Sequence, residues 1–501
     1  MWAIGLILFA FALRVHALGA KSLWYDELRQ VEVAQQPLAA FTPLLLAHAA
    51  RPLDYLVTHA LLGAGRQEFW LRAPALLWST LAVAVFFVLA RRWLGPRTAL
   101  WATALLAAAP FAVQYAQEQR PYALYLLLAL LGFESLDRAV STGGRRWAWP
   151  AFAAAAVGGA LTHFFYAIVL GAQGLYGLAA LAWPPRRPHW GRSVAALAAA
   201  GLAGIAALWV AAKPEQLVMF TKRFLGALGG VSNAGALVSD TGVTVRVSET
   251  VNAAFFFQGL LPALGAGGSV AALALFNGLA LLGLWALAAR DRRRLTLVLL
   301  WLGLAPAVVI IYLQYRQQFF ALRYVIFALP PYLLLAARGL EQLAAWARPV
   351  RLQRLVAGAG LVALLAFALA EVRADYREPK DDWRRVGAFL TANVRSGDTL
   401  GAPDVQAFIR FYAPDQPAAI VDVSDRGPHE QALANGERFW FVWSDYTQLP
   451  VEDTRQWVNS LTSVTLQLDP RIRVIFVHPG LTQAEMLAEA EQFVIPSPSL
   501  R

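Results

Sequence analysis

Two adjacent carboxylates, Asp26 and Glu27, stand in the run Ser22-Leu23-Trp24-Tyr25-Asp26-Glu27, directly after an apolar stretch from Trp2 to Leu18. Acids where a chain leaves a bilayer are costly to bury without a role. There they can take a proton or hold a cation, or they can be two solvated loop acids. A second run, Tyr115-Ala116-Gln117-Glu118-Gln119-Arg120-Pro121-Tyr122, places Glu118 and Arg120 in one tight turn between apolar stretches. They belong either to a site or to a local ion pair. His163 lies in Thr162-His163-Phe164-Phe165-Tyr166, and Arg323 in Leu322-Arg323-Tyr324, each at the edge of an apolar stretch. A lone histidine at such an edge is an interface hydrogen-bonder more readily than a ligand. Arg323, like Arg14 and Arg72, can be read as snorkelling. Acids, imidazole and guanidinium together are what a metal or phosphate site requires.

The elements that must position these residues are membrane helices. Of the 501 residues 58% are hydrophobic and only 15% charged, against about 25% charged in soluble proteins. Stretches long enough to cross a bilayer, roughly 17–25 residues, occur at 2–18, 73–90, 98–114, 121–137, 148–164, 165–183, 193–212, 269–289, 295–313, 324–341 and 353–371. The first has no Lys or Arg before its apolar run and is read as a retained helix rather than a cleaved signal. The net charge of +11 does not indicate nucleic acid, because the arginines fall between apolar segments and not along one face. Seventeen of them occupy five alternate connections, at 91–97, 138–146, 186–192, 290–294 and 338–354. By the positive-inside rule those connections face the cytoplasm. The N-terminus is then inside and everything after residue 371 outside, in a plasma (inner) membrane. Asp26, Glu27, Glu118, Arg120, His163 and Arg323 all fall at the outer boundary.

Two outer loops, 19–72 and 213–268, belong to this membrane part, 1–371. The first carries the apolar run Pro52 to Leu62, read as an interfacial helix; the second is rich in Gly, Ser and Thr after Lys222. Residues 372–501 change period. Asp381 to Asn393 reads as an amphipathic helix, Ser396-Gly397-Asp398 as a turn, and Ala418–Val423, Arg438–Trp443 and Arg471–Val477 as strands, which together predict a small α/β domain. With no cysteine in the chain, disulfides and thiolate metal sites are excluded. There is no internal repeat of the transporter kind.

SLWYDE after the first helix, RPLDYLVTHALL and EFWLRAPAL, followed by QYAQEQRPYAL, THFFYA and LRYVIFALPPYLLL, resemble the lipid-carrier-dependent glycosyltransferases of the GT-C superfamily. The resemblance is to the bacterial branch of protein O-mannosyltransferases and of the aminoarabinose transferase that modifies lipid A. DDWRRVGAFLTANVRSGDTL resembles the start of the soluble domain that many members carry. The resemblance implies a GT-C fold of about eleven transmembrane helices and a polyprenyl-phosphate-linked sugar as donor. Many members have His-Pro-Pro-Leu-Tyr-Tyr where this chain has Ala50-Arg51-Pro52-Leu53-Asp54-Tyr55, so Arg51 and Asp54 become candidates on the acceptor side.

The implied chemistry assigns Asp26 as the base for the acceptor hydroxyl, with Glu27 as its partner or in its place. Arg323, Arg120 and Arg72, with Tyr324, are candidates for the carrier phosphate. Glu118, His163 and Tyr122 are candidates for support or for a divalent cation, an incomplete ligand set; no other cofactor is implied. Expected partners are the lipid-linked sugar, an extracytoplasmic acceptor (glycolipid, envelope glycan or protein) and the bilayer. Direct displacement predicts inversion at the anomeric carbon. The competing class is a transporter or flippase for a lipid-linked sugar. Against it, the charged residues lie at the boundary and not at the midplane.

Overall fold

A computed structural model of the protein describes residues 1–38, 52–141, 145–182, 190–211, 259–265, 267–315, 321–402, 405–421, 427–444 and 452–498. They form two compact units. Met1–Leu18 and the described residues of 33–377 make the first; Gly19–Glu32 and the described residues from Glu378 onward make the second.

The first unit is helical. In chain order the helices are α1 (Trp2–Val15), α2 (Tyr25–Ala34, which begins in the second unit), α3 (Pro52–Leu62), α4 (Glu68–Leu94), α5 (Pro96–Ala108) and α6 (Pro110–Gln114). There follow α7 (Tyr122–Ala139), α8 (Ala148–Thr162), α9 (Tyr166–Ala182), α10 (Trp190–Ala211), α11 (Leu261–Gly265) and α12 (Val270–Ala288). A composite helix joins α13 (Arg292–Val298) through a π-helical stretch, Leu299–Leu304, to α14 (Ala305–Tyr315). After a 3₁₀ segment, Leu322–Ala328, come α15 (Leu329–Trp346) and α16 (Val350–Arg377).

Each of the eleven expected apolar stretches contains helix. Among the described residues six helices are long and apolar enough to cross a membrane: Glu68–Leu94, Gly191–Leu208, Val270–Ala288, Arg292–Leu313, Leu322–Trp346 and Val350–Arg377. Shorter apolar helices are Trp2–Val15, Ala148–Thr162 and Tyr166–Ala182. Leu281, Ile311 and Leu355, each about two-thirds exposed, show that these helices are apolar on their outer faces too, as lipid contact demands. The stretches 148–164 and 165–183 divide at His163, whose extended backbone (φ −152°, ψ 133°) ends α8.

The expected span 98–114 is broken. Pro110 has no N–H, so the carbonyl of Leu106 loses its helical donor and the helix stops at Ala108. Arg14, with no exposed surface, fills the gap. Its guanidinium donates to the carbonyls of Leu106 (3.3 Å) and Ala107 (2.8 Å), and its Nε to Ser79 Oγ (2.7 Å). Arg14 therefore does not snorkel. It satisfies backbone that lipid could not.

In the second unit five strands, β1 (Thr399–Gly401), β2 (Ala419–Val421), β3 (Phe439–Ser444), β4 (Val464–Asp469) and β5 (Ile472–Val477), make one mixed sheet in the order β2-β1-β3-β5-β4. The β1–β2 and β1–β3 pairs are parallel, while β5 runs antiparallel to β3 and β4. The central strand β3, Phe-Trp-Phe-Val-Trp-Ser, is apolar on both faces because helices cover both. These helices are α17 (Trp383–Asn393), α18 (Gln406–Tyr412), α19 (Gly427–Ala434), α20 (Glu452–Ser460) and α21 (Gln483–Ala490). The expected helix at 381–393 and the strands near 418, 438 and 471 are present. The short β1 and the partly exposed β4 carry too little pattern to be read from sequence.

In the first unit α12 and α15 meet at backbone contact. A Cβ on Gly283 would lie 1.9 Å from the Leu335 carbonyl oxygen, and one on Gly339 1.8 Å from that of Leu279. Small residues permit such crossings where no water drives association. Gly283→Ala should therefore force the two helices apart and cost roughly 2–3 kcal/mol. Thermal unfolding in detergent reads this, and an unchanged midpoint would contradict the contact.

Candidate active site

The prolines in Leu322-Arg323-Tyr324-Val325-Ile326-Phe327-Ala328-Leu329-Pro330-Pro331 determine how Arg323 is presented. Neither Pro330 nor Pro331 can donate to the carbonyls four residues back, and the chain there is a 3₁₀ segment with non-helical Val325 (φ −112°, ψ 20°). The carbonyl of Phe327, which Pro331 leaves without a helical donor, accepts the indole N–H of Trp301 at 2.7 Å. Trp301 has no exposed surface and stacks on Phe133 with centroids 4.0 Å apart. A packed indole thus fixes the segment that carries Arg323 and Tyr324.

Arg323 Nε donates to the Tyr122 hydroxyl at 3.0 Å, and the guanidinium lies 5.7 Å from the Tyr122 ring centroid and 5.9 Å from that of Tyr324. These contacts hold Arg323, half-buried, in one place; a snorkelling side chain would not be so constrained. His163 completes the group. Its ring stacks on Tyr125 (4.7 Å, 9°) and lies 5.7 Å from Tyr122 and 5.8 Å from Tyr324. The Phe165 N–H donates to His163 Nδ1 at 3.2 Å. A backbone N–H only donates, so Nδ1 is the acceptor of this bond.

The turn after α6 brings Glu118 and Arg120 inward, both buried. Arg120 N–H donates to the Glu118 carbonyl at 2.8 Å. Two glutamines that sequence reasoning passed over clamp this turn. Gln117 donates to the carbonyls of Arg14 (3.1 Å) and His16 (2.6 Å), and Gln119 to Thr58 Oγ1 of α3 (2.8 Å). Burial pushes the Tyr115 phenol above its usual range; Glu118 adds to that shift and Arg323 opposes it. Tyr115, Tyr122, Glu118, His163, Arg323 and Tyr324 therefore share one neighbourhood at one end of the first unit.

Arg72 is placed differently. It is buried in the first turns of α4 and donates to the carbonyl of Leu18 at 3.1 Å, so part of its guanidinium holds the end of the first helix. Asp54 is buried in α3, and its own carbonyl accepts from Thr58 Oγ1 at 3.0 Å. Arg51 and most of the loop 213–268 lie outside the described residues.

Asp26 and Glu27 stand in the first turn of α2, not in a loop. Glu27 has no exposed surface, and its Oε2 accepts the Trp24 N–H at 3.1 Å, one half of a capping box. Asp26 is half-buried. Both belong to the second unit. Among the described residues no three of His, Asp and Glu converge as a metal site would require, and Glu118 with His163 gains no third ligand there.

Helices of this order, with a sheet-bearing domain after the last, have the GT-C fold. Residues 53–211 match the family model described as dolichyl-phosphate-mannose-protein mannosyltransferase. Among solved structures, the apo form of ArnT from Cupriavidus metallidurans is 15% identical with TM-score 0.59, covering 95% of this chain and 97% of that one. Its form bound to undecaprenyl phosphate is also 15% identical, with TM-score 0.57 and coverage of 95% and 98%. The archaeal oligosaccharyltransferase AglB from Archaeoglobus fulgidus, in complex with an inhibitory peptide and a dolichol-phosphate, is 11% identical with TM-score 0.53, covering 89% and 69%. No curated protein sequence matches. The chain is a multi-pass membrane protein of this fold.

The Ser396-Gly397-Asp398 turn is structural. Asp398 is buried and accepts from Trp440 Nε1 (2.7 Å) and the Arg395 N–H (2.9 Å), with Arg438 3.9 Å away. Asp398→Ala would leave the Trp440 indole N–H without its acceptor and take from Arg438 one of two carboxylates, Glu489 remaining at 3.5 Å, and should destabilise the tail by roughly 1–3 kcal/mol. Tryptophan fluorescence during denaturant titration of the full chain measures this, and wild-type stability would refute it.

Proposed function

We propose that the protein transfers a sugar from a polyprenyl-phosphate donor to an extracytoplasmic acceptor, with inversion. One observation carries the reading: Arg323 is a fixed cation set among tyrosines, in a fold shared with a protein crystallised with undecaprenyl phosphate. A carrier phosphate monoester needs such a cation near low-dielectric lipid. Tyr324, Arg120 and Arg72 assist it.

Asp26 is the base. As the acceptor oxygen attacks the anomeric carbon, its proton passes to the Asp26 carboxylate, the bond from that carbon to the phosphate oxygen breaks, and the carrier phosphate leaves with the electron pair. Back-side attack in a single step inverts the centre. Glu27, buried and capping α2, supports Asp26. Asp54 and Arg51 are assigned to the acceptor side. The membrane is the plasma (inner) membrane, with the N-terminus cytoplasmic and residues 372–501 outside.

Purified protein incubated with a panel of radiolabelled mannosyl, glucosyl, galactosyl and arabinosyl undecaprenyl phosphates and membrane extract should pass label covalently to a new product. Label that crosses the bilayer still on its carrier would instead indicate transport. Asp26→Asn should lower turnover about 10²–10⁴-fold with donor binding retained, and Arg323→Ala should lower kcat/KM for the donor roughly 10²-fold. Full activity in either variant removes that residue from the assignment. For the orientation, a reporter fused after residue 501 should be active only in the form that works outside the cytoplasm, and cytoplasmic activity would reverse it.

A further inference from the structure

The segment that bears Asp26 is built into the tail's unit. Gly19–Glu32 leaves the helical unit at Leu18, packs with the residues from Glu378 onward, and returns at Val33. Its backbone polar groups are taken one after another by two tail side chains. Arg384 donates to the carbonyls of Gly19 (2.6 Å), Ala20 (3.1 Å) and Lys21 (3.4 Å). The Tyr412 hydroxyl accepts the Leu23 N–H at 2.7 Å. The next N–H, that of Trp24, goes to Glu27, and α2 begins there with Asp26 in its first turn.

The two gripping residues are themselves braced. Asp382 caps α17 by accepting the Arg385 N–H at 3.1 Å, and its own N–H donates to Asp469 Oδ2 of β4 at 3.2 Å. Trp383 stacks on Phe408 of α18 with centroids 4.1 Å apart. A Cβ on Gly387 would lie 2.4 Å from the Tyr412 carbonyl oxygen, so α17 and α18 touch backbone to backbone. Arg384 and Tyr412 thus project from one rigid corner.

We infer that Arg384 and Tyr412 are positioning residues, which hold the 19–24 backbone so that the first turn of α2 presents Asp26 in a single orientation. The inference rests on the reading of Asp26 as the base. It makes the tail a part of the catalytic apparatus through backbone contacts, with no tail side chain in the bond-making step. A base displaced by even a small distance loses much of its effect, whereas donor binding at Arg323 does not depend on it.

The test uses the full chain in detergent. Tyr412→Phe removes one oxygen. It should speed hydrogen–deuterium exchange of the peptide covering 19–28 roughly three- to tenfold, with exchange in β3 and β5 unchanged. With whichever undecaprenyl-phosphate sugar of the panel is turned over, kcat should fall roughly tenfold at unchanged donor KM. Arg384→Ala should do the same more severely, and Arg384→Lys should recover part of the loss, since an ammonium can donate to some of the three carbonyls. Wild-type exchange at 19–28 in both Tyr412→Phe and Arg384→Ala overturns the inference. So does faster exchange with unchanged kcat, which would leave the grip merely structural. Asp26→Asn is assayed beside them. If it is inactive while the grip variants behave as wild type, only this inference fails; if it turns over normally, the reading of the base fails and the inference falls with it.

Discussion

Irregular backbone inside an apolar bundle must find hydrogen-bond partners within the protein, because lipid offers none, and arginine is the residue this fold uses most for that task. Arg14 satisfies the carbonyls that Pro110 frees at the end of α5. Arg294 donates to the carbonyls of Trp93 (2.7 Å) and Arg92 (3.3 Å) at the end of α4. Arg72 does so at Leu18. A guanidinium at the carbonyl end of a helix also meets the negative pole of its dipole. Arg14 at Ala109 and the Trp301 indole before α15 thus satisfy the two breaks, and those breaks let α6, the Glu118–Arg120 turn and the 3₁₀ segment of Arg323 depart from straight spans.

Other arginines do different work at the far end of α7, about 22 Å from Tyr122 at 1.5 Å per residue. Arg92 pairs with Glu134 (2.6 Å) and Asp137 (2.7 Å), Arg138 with Glu134, and Arg293 with Asp137 (2.7 Å) and the Tyr176 hydroxyl (2.9 Å). Glu134 and Asp137 are buried. Such a network withstands its desolvation cost only because each carboxylate is shared by several donors. Connections rich in arginine read as a topological signal; several of those charges are also the ties that hold α4, α7, α9 and α13 together.

Much of this was legible in the sequence, because burial in lipid writes itself as long apolar stretches. The helices, the α3 run at Pro52–Leu62, the turn at Ser396-Gly397-Asp398 and three of five strands follow from pattern alone. Glu134 and Asp137 escaped notice because two acids within an otherwise apolar helix resemble its frayed end. Gln117 and Gln119 escaped because an amide contributes little to any charge pattern. The two roles of Arg72 and Arg14 depend on which carbonyl each meets, which spacing does not encode. Least legible was the membership of Gly19–Glu32. Leu23 and Tyr412 are 389 residues apart in sequence, and nothing local to either announces the other.

That long-range grip also separates two carboxylates that sequence treats as equivalent. Adjacent positions at the start of a helix point about 100° apart, so one can face inward while its neighbour remains partly open. Glu27 faces inward, fully buried, and its carboxylate closes the Trp24 end of α2. Asp26 stays half-buried in the same turn. A carboxylate already accepting a backbone N–H and sealed from the surface is poorly placed to receive a proton from an incoming hydroxyl. Its removal would unravel the turn on which its neighbour stands. On the proposed reading, environment and not residue type separates the two: Asp26 is the base and Glu27 the scaffold. The order of the two in the chain is then a consequence of where the tail stops gripping the backbone and the helix takes over.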